Sequence, residues 1–254
     1  MREDYNKQLS GQIEKHFLNL EHMILEDIVR RIKKAGKITS TADWQINRLR
    51  IIGYSSEDIE KMIKETLKLS YPEVFELYDK VIDWEYVRNK DIYEQVNAEY
   101  IPYEENKELQ QLTDGLIQQS NDELRNITQS MGFYVDYGIG KLVMTPLADI
   151  YQNYLDKAIM GVVYGTFDYN TMIRKVVTQL TNSGLRTIDY ASGWHNRVDV
   201  AARRAVMTGV SQLSAKICEY NMEKLGCEYV EVAWHAGARP SHAVWQGKVY
   251  KWNK

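Results

Sequence analysis

Little in this chain points to export, a membrane or a loop-rich catalyst. Two cysteines, Cys218 and Cys227, stand in 254 residues, too few for a disulfide framework. They flank one expected helix end, so reduced thiols, as in a cytosolic product, are the expectation. No apolar run approaches the roughly 18 residues that a membrane span needs. The start, Met-Arg-Glu-Asp-Tyr-Asn-Lys-Gln, is charged and polar and does not read as a secretory signal. Neither sign of charge dominates. The net charge is −3 and the pI near 6.0, which gives no global steering toward nucleic acid. Four prolines and 15 glycines leave few breaks in helical pattern. What the chain has in quantity is tyrosine, 18 residues, which suits long helices with aromatic packing or contact surfaces. The length allows one large domain or two ordinary ones, with a real core.

The apolar spacing predicts a mainly α fold, an elongated assembly of long helices with a small C-terminal β-hairpin-like element. Leu9, Ile13, Phe17, Leu20, Ile24, Ile28 and Ile32 recur at three- and four-residue steps, so Tyr5 to Ala35 reads as one helix ending at Gly36. A helix this long either spans a bundle or packs on a neighbouring subunit. Ser55 with Asp58 matches a capping box. It predicts two short helices, Trp44 to Ile52 and Asp58 to Leu69, joined at Gly53-Tyr54, an arrangement that invites a helix-turn-helix reading. Residues 30–50 hold seven bases against one acid, a local balance of 7 − 1 = +6. The plain reading is a solvated face; the functional one is contact with DNA or an acidic partner through residues such as Arg48 and Arg50. Residues 72–108 invert the charge, with four bases and eleven acids, 4 − 11 = −7. Opposite charge in neighbouring segments suits internal docking and end-to-end assembly of copies alike.

Phe133 to Val143 reads as a connector carrying a strand; its Gly138-x-Gly140 lacks the context of a nucleotide loop. Thr145-Pro146 starts a helix that runs to about Tyr164. Asp168 caps the next, Tyr169 to Thr181, and Asn182-Ser-Gly184 stops it. From His195 to Leu225 runs the last helix, with Val198, Ala202, Val206, Val210, Leu213, Ile217 and Tyr220 as its stripe and Gly226 as its end. Asp199 stands four residues before Arg203, the spacing of a supporting ion pair. Arg197 and the Arg203-Arg204 pair are candidates to contact a phosphate, a partner or the terminal motif.

From Cys227 the period falls to two. Tyr229, Glu231 and Ala233 alternate with Val230, Val232 and Trp234, which predicts a strand. A Gly237-Ala-Arg-Pro-Ser turn and a second short strand, Lys248 to Trp252, follow. His235, Arg239, Pro240, His242, Trp245, Gly247 and Lys248 make this the densest run of functional side chains. His235 and His242 fall short of the four ligands, or three plus water, of a zinc site. No Ser-His-acid order or paired carboxylate accompanies them. The structural reading has Arg239 hydrogen-bonding turn carbonyls or a carboxylate, His242 holding the loop, and Trp234 and Trp245 covering the last helix. The enzymatic alternative is a metal- or histidine-dependent nuclease-like site. A third class is a helical DNA-binding protein working through residues 30–50.

The run HAGARPSHAVWQGKVY resembles the signature of tailed-phage minor capsid proteins, the phage minor capsid protein 2 family. The looser pattern Arg-x-x-His-x-x-x-x-Gly, here Arg239, His242 and Gly247, is similar to Mu-type head morphogenesis proteins. The resemblance continues upstream through Ser183-Gly-Leu-Arg-Thr-Ile-Asp-Tyr-Ala-Ser-Gly and Arg197-Val-Asp-Val-Ala-Ala-Arg-Arg-Ala-Val-Met-Thr-Gly. It implies a structural protein of the virion, made in the host cytoplasm and acting in head assembly near the portal and the packaged genome. Portal and other capsid proteins are the implied partners. Self-association, weak sequence-independent DNA contact, no membrane, no cofactor and no enzymatic activity complete the expectation. Three parts are expected: residues 1–101 as a helical arm, 102–226 as a central helical domain, and 227–254 as the β motif. Related head proteins carry a further Asn-Cys-Arg segment, so the motif is expected to be truncated relative to the family.

Overall fold

The seven-residue apolar stripe of the first helix fixes what that helix must do: one face has to leave water. The computed structural model describes residues 2–35, 41–164, 168–188, 193–234 and 236–252. The first half runs α1 (Arg2–Ala35), α2 (Thr41–Glu85), α3 (Lys90–Gln95), α4 (Lys107–Gln129), β1 (Gly132–Asp136) and β2 (Leu142–Pro146). The second runs α5 (Leu147–Tyr164), α6 (Tyr169–Ser183), β3 (Arg186–Ile188), β4 (His195–Arg197), α7 (Val198–Lys224), β5 (Tyr229–Glu231), α8 (Pro240–Ala243) and β6 (Val249–Lys251). Gly36, the expected cap of α1, and His235 lie outside the described residues, as does part of the loop 185–194.

All seven stripe residues of α1 are buried, and α1 packs on α5 and α6. The stripe is therefore core of this chain's own fold, and its burial removes the apolar face expected to meet a neighbouring subunit. The chain divides into two compact units, residues 1–77 with 117–209, and residues 78–116 with 210–254.

In the first unit the predicted pair of short helices is a single helix. Gly53 and Pro72 both sit inside α2. Ser55 does not cap: its hydroxyl donates back to the Ile52 carbonyl at 2.7 Å, the alternative open to a serine inside a helix. Ser55 and Ile51 are buried, so packing continues through the expected turn and outweighs the roughly 1 kcal/mol that a mid-helix glycine costs. Arg31 of α1 reinforces it from outside, donating to the Ile51 carbonyl at 2.9 Å. Without a turn at Gly53-Tyr54 the helix-turn-helix reading falls.

The expected connector is an antiparallel hairpin, Phe133 facing Thr145 and Val135 facing Val143. It grows into a four-stranded sheet of order β2-β1-β3-β4. Phe133 and Val135 are buried where α5 and α6 pack on β1. Gly132 is required there, since a Cβ on it would stand 2.3 Å from the backbone oxygen of Thr145. His195 to Arg197, expected as the first turn of the last helix, form the edge strand β4 instead.

The second unit has a different core. Tyr86, Tyr93 and Tyr220 are buried, and Tyr100 stacks on Tyr86 with centroids 5.1 Å apart. The hydroxyls of Tyr86, Tyr93 and Tyr220 are all engaged. Tyr86 donates to the Ile101 carbonyl at 2.7 Å, and Tyr93 to the Asn221 side-chain oxygen at 2.8 Å. Buried Asn106 donates to the hydroxyls of Tyr86 at 3.0 Å and Tyr220 at 2.8 Å. Its own side-chain oxygen accepts from Leu109 N, so it also caps α4. Burial pushes the Tyr86 hydroxyl up to about 12 and raises Tyr93 as well. The seven-residue stripe of α7 is buried throughout. The helix ends as expected: Gly226 turns at φ 63, its N–H reaching Glu223 O and that of Cys227 reaching Met222 O, the paired bonds of a glycine-terminated helix.

Candidate docking face at the terminal hairpin

The terminal motif is a β-hairpin with a short helix in its loop. Val230 pairs with Tyr250 and Glu231 with Val249. Gly247 adopts φ 65 and closes the loop through its N–H to Val232 O at 2.7 Å, while Val232 N donates to Lys248 O at 3.0 Å. Arg239 precedes α8, and Pro240 takes its first position, where a missing N–H is harmless. Gly237 makes the preceding turn at φ 82.

The side chains of this motif point into solvent. Arg239, His242 and Lys248 are exposed, and so are Trp234 at 72% and Trp245 at 41%. The two tryptophans therefore do not cover the last helix. Trp245 instead bonds within the loop, its Nε1 donating to Ser241 O at 3.0 Å, with His242 in ring contact at 5.4 Å. Tyr250 donates to Trp245 O at 3.2 Å. Among the described residues the Arg239 guanidinium and the His242 ring make no hydrogen bond. Among the described residues the turn is held by backbone bonds, Trp245 and Tyr250, without the bonds expected of Arg239 and His242.

The candidate arginines upstream are largely spent inside the first unit. Arg197 donates to Glu21 Oε2 at 2.6 Å and to Asp199 Oδ1 at 3.2 Å, while Glu21 Oε1 accepts Leu185 N at 2.8 Å. Glu21 and Asp199 are buried. Gly184 fits beside them only without a side chain: its φ is +64, and a Cβ would stand 2.4 Å from Arg197 Nη1. Arg197 is thus a clasp and is not aimed at a phosphate. Arg203 pairs with Glu14 at 3.1 Å, so the expected Asp199–Arg203 pair gives way to Asp199–Arg197 and Glu14–Arg203. Arg48 pairs with Asp156 at 2.9 Å. Arg50 and Arg204 are exposed.

Sequence reasoning missed the knot around Asp27. This buried carboxylate accepts from Arg30, from Arg31 Nε at 2.6 Å and from the Tyr151 hydroxyl at 3.1 Å. Burial pushes its pKa up, but the hydrogen bonds from Arg31, Arg30 and Tyr151 outweigh it and hold the carboxyl below its ordinary value. Three of the seven bases in residues 30–50 are therefore paired internally, which thins the expected cationic patch. No local pattern signals this; only Arg31 four residues after Asp27 hints at it.

Nothing described assembles a reaction centre. The cavity of about 290 Å³ beside β1 holds Asp136 and Arg186 but no histidine or cysteine. No group of three or more His, Cys, Asp or Glu side chains able to hold a metal occurs among the described residues. No described helix is long and apolar enough to cross a membrane. Cys218 and Cys227 are free and exposed. Neither the curated proteins nor the solved structures give a match to this chain. The profile of one family, Phage minor capsid protein 2, matches residues 1–253. That span takes in both units and the exposed terminal hairpin, and the chain belongs to this family of phage structural proteins.

Proposed function

We propose that the protein is a non-enzymatic component of the phage head, assembled in the host cytoplasm, that works near the portal and uses its terminal hairpin as a docking face. The observation that carries this reading is the exposure of the motif. Trp234, Trp245, Arg239 and His242 are the residue types that dominate binding energy at interfaces or bear charge beside it, and none is committed to the core. A side chain kept for stability would be buried, and one kept for catalysis would be paired with a base or an orienting group. Membership of a capsid family supports other phage structural proteins as partners. Contact with packaged DNA is assigned to the exposed Lys33, Lys34 and Arg50, as a weak and salt-sensitive interaction.

The test is capture of the purified portal ring by the full chain, alongside detection of the protein in mature heads. Trp245→Ala with Trp234→Ala should release the portal while leaving the melting curve unchanged. A protein absent from heads overturns the proposal, and so does portal capture indifferent to both tryptophans.

A further inference from the structure

The second unit carries two unpartnered surfaces of opposite charge. On the hairpin, Arg239, Lys248 and Lys251 are exposed and form no ion pair among the described residues. Around them stand Tyr229 at 59% and Val249 at 65% exposure, besides Trp234. Two acids, Glu228 and Glu231, leave the cations in excess. A two-stranded hairpin alone is marginal in water, and β5 and β6 pair only with each other among the described residues. Its fold thus leaves apolar area and both sheet edges open.

The other surface is the arm that links α2 to α4. Val87, Ile92 and Val96 are exposed on it at 42%, 45% and 53%, with Ile92 and Val96 one helical turn apart. Asp91, Glu99, Glu104 and Glu105 lie on the same arm, exposed and without an ion pair among the described residues. The arm is held in shape: its two ends bond to each other through Tyr86, Ile101 and Asn106, and Tyr93 in its middle donates to Asn221 of α7. A surface already ordered loses little entropy on binding.

We propose that the terminal hairpin of one copy docks on the acidic arm of a second copy, so that the protein self-associates through this unit. The inference rests on reading the hairpin as a docking face and adds a second copy of this chain to the portal as a partner. Three unpaired cations set among aromatics fit four unpaired carboxylates set among aliphatics, and both surfaces are supplied by one chain. Such pairing is steered by charge and closed by apolar contact. The α1 stripe takes no part in it, being buried.

Sedimentation velocity of the full chain, over a concentration series at low and high salt, reads the association. Wild type should associate, and salt should weaken it. Lys248→Glu with Lys251→Glu should reduce association by roughly tenfold or more, and Glu104→Lys with Glu105→Lys should do the same. An equimolar mixture of the two variants should restore it, because each then offers the charge the other lost. All four residues are exposed, so unchanged thermal melts show that the variants fold. A wild type that stays monomeric at every concentration overturns the proposal, as does a mixture without rescue. So does association indifferent to the reversals. If the hairpin reversal abolishes only portal capture, the hairpin serves a foreign acidic partner and self-docking fails while the function above stands. If it abolishes only binding to duplex DNA, both fall.

Discussion

Two β-hairpins in this molecule start from similar sequence and reach opposite ends. The first, β1–β2, pairs aromatic and aliphatic residues across a short turn holding Gly138 and Gly140; the last, β5–β6, does so across a longer loop that holds α8. Yet Phe133 and Val135 of the first are 0% and 3% exposed, while Tyr229 and Val249 of the last are 59% and 65%. The first is extended by β3 and β4 and lies against α5 and α6. The last has short strands, no third strand among those described, and no buried residue, with only Val230 half-buried. Alternation marks a strand in both cases but says nothing about what covers it. The covered hairpin is part of the core; the other leaves its aromatic and charged side chains largely in solvent.

The comparison breaks most sharply under truncation. Phe133→Ala should destabilise by about 3–5 kcal/mol in urea unfolding, as a buried aromatic does. Trp245→Ala should stay within about 0.5 kcal/mol, as an exposed substitution does. Equal losses at the two sites would mean that the terminal hairpin is covered after all.

The clasp that holds the first sheet to α1 comes next. Glu21→Ala leaves the Leu185 N–H without its acceptor and the Arg197 guanidinium with Asp199 alone, and roughly 1.5–3 kcal/mol should be lost. A neutral result in the same unfolding assay would show that Asp199 alone orients Arg197.

The two units should also fail at opposite ends of the pH scale. In the first, Asp27 is held below its ordinary value by Arg31, Arg30 and Tyr151 once burial has been overcome. A depressed carboxyl contributes stability that is complete above the unfolded pKa of about 4 and is lost as pH falls through the lower folded value. Asp27→Asn should therefore flatten the acid limb of a melting profile below that point. In the second unit, Tyr86 is raised to about 12 by burial. A raised tyrosine contributes stability that is complete below the unfolded value of about 10 and lost as pH climbs toward the folded one. Tyrosinate absorbance should appear together with loss of helix in that alkaline window, and Tyr86→Phe should delay it. Titration of these tyrosines at ordinary pH, without unfolding, would contradict the hydrogen-bonded cluster.

The smallest effects belong to the motif itself. Arg239→Ala and His242→Ala should each shift stability by less than about 0.5 kcal/mol, a reversal of the loss expected had they bridged buried groups. Calorimetric melts of both variants decide it.

Periodicity is a local property, and what depends on it was legible in the chain. The stripes of α1 and α7, the Asp168 cap, the Gly226 stop and the two terminal strands could all be read from neighbours a few residues apart. So could the family, because its motif lies within one short run. The abundance of tyrosine foretold aromatic packing, though not the hydrogen-bonded cluster around Asn106. What the tertiary structure decided are the choices between partners. The break at Gly53 was plausible locally, but Ile51 and Ser55 are buried and Arg31, twenty residues away, binds the Ile51 carbonyl. Arg48 found Asp156, 108 residues on, and Arg197 found Glu21, 176 residues back. A guanidinium takes whichever carboxylate the fold brings within hydrogen-bond reach, and Arg197 takes two, Glu21 and Asp199. The bareness of the last hairpin has the same origin: whether a strand's apolar face is covered depends on elements far away in the chain, and here none of those described reaches it.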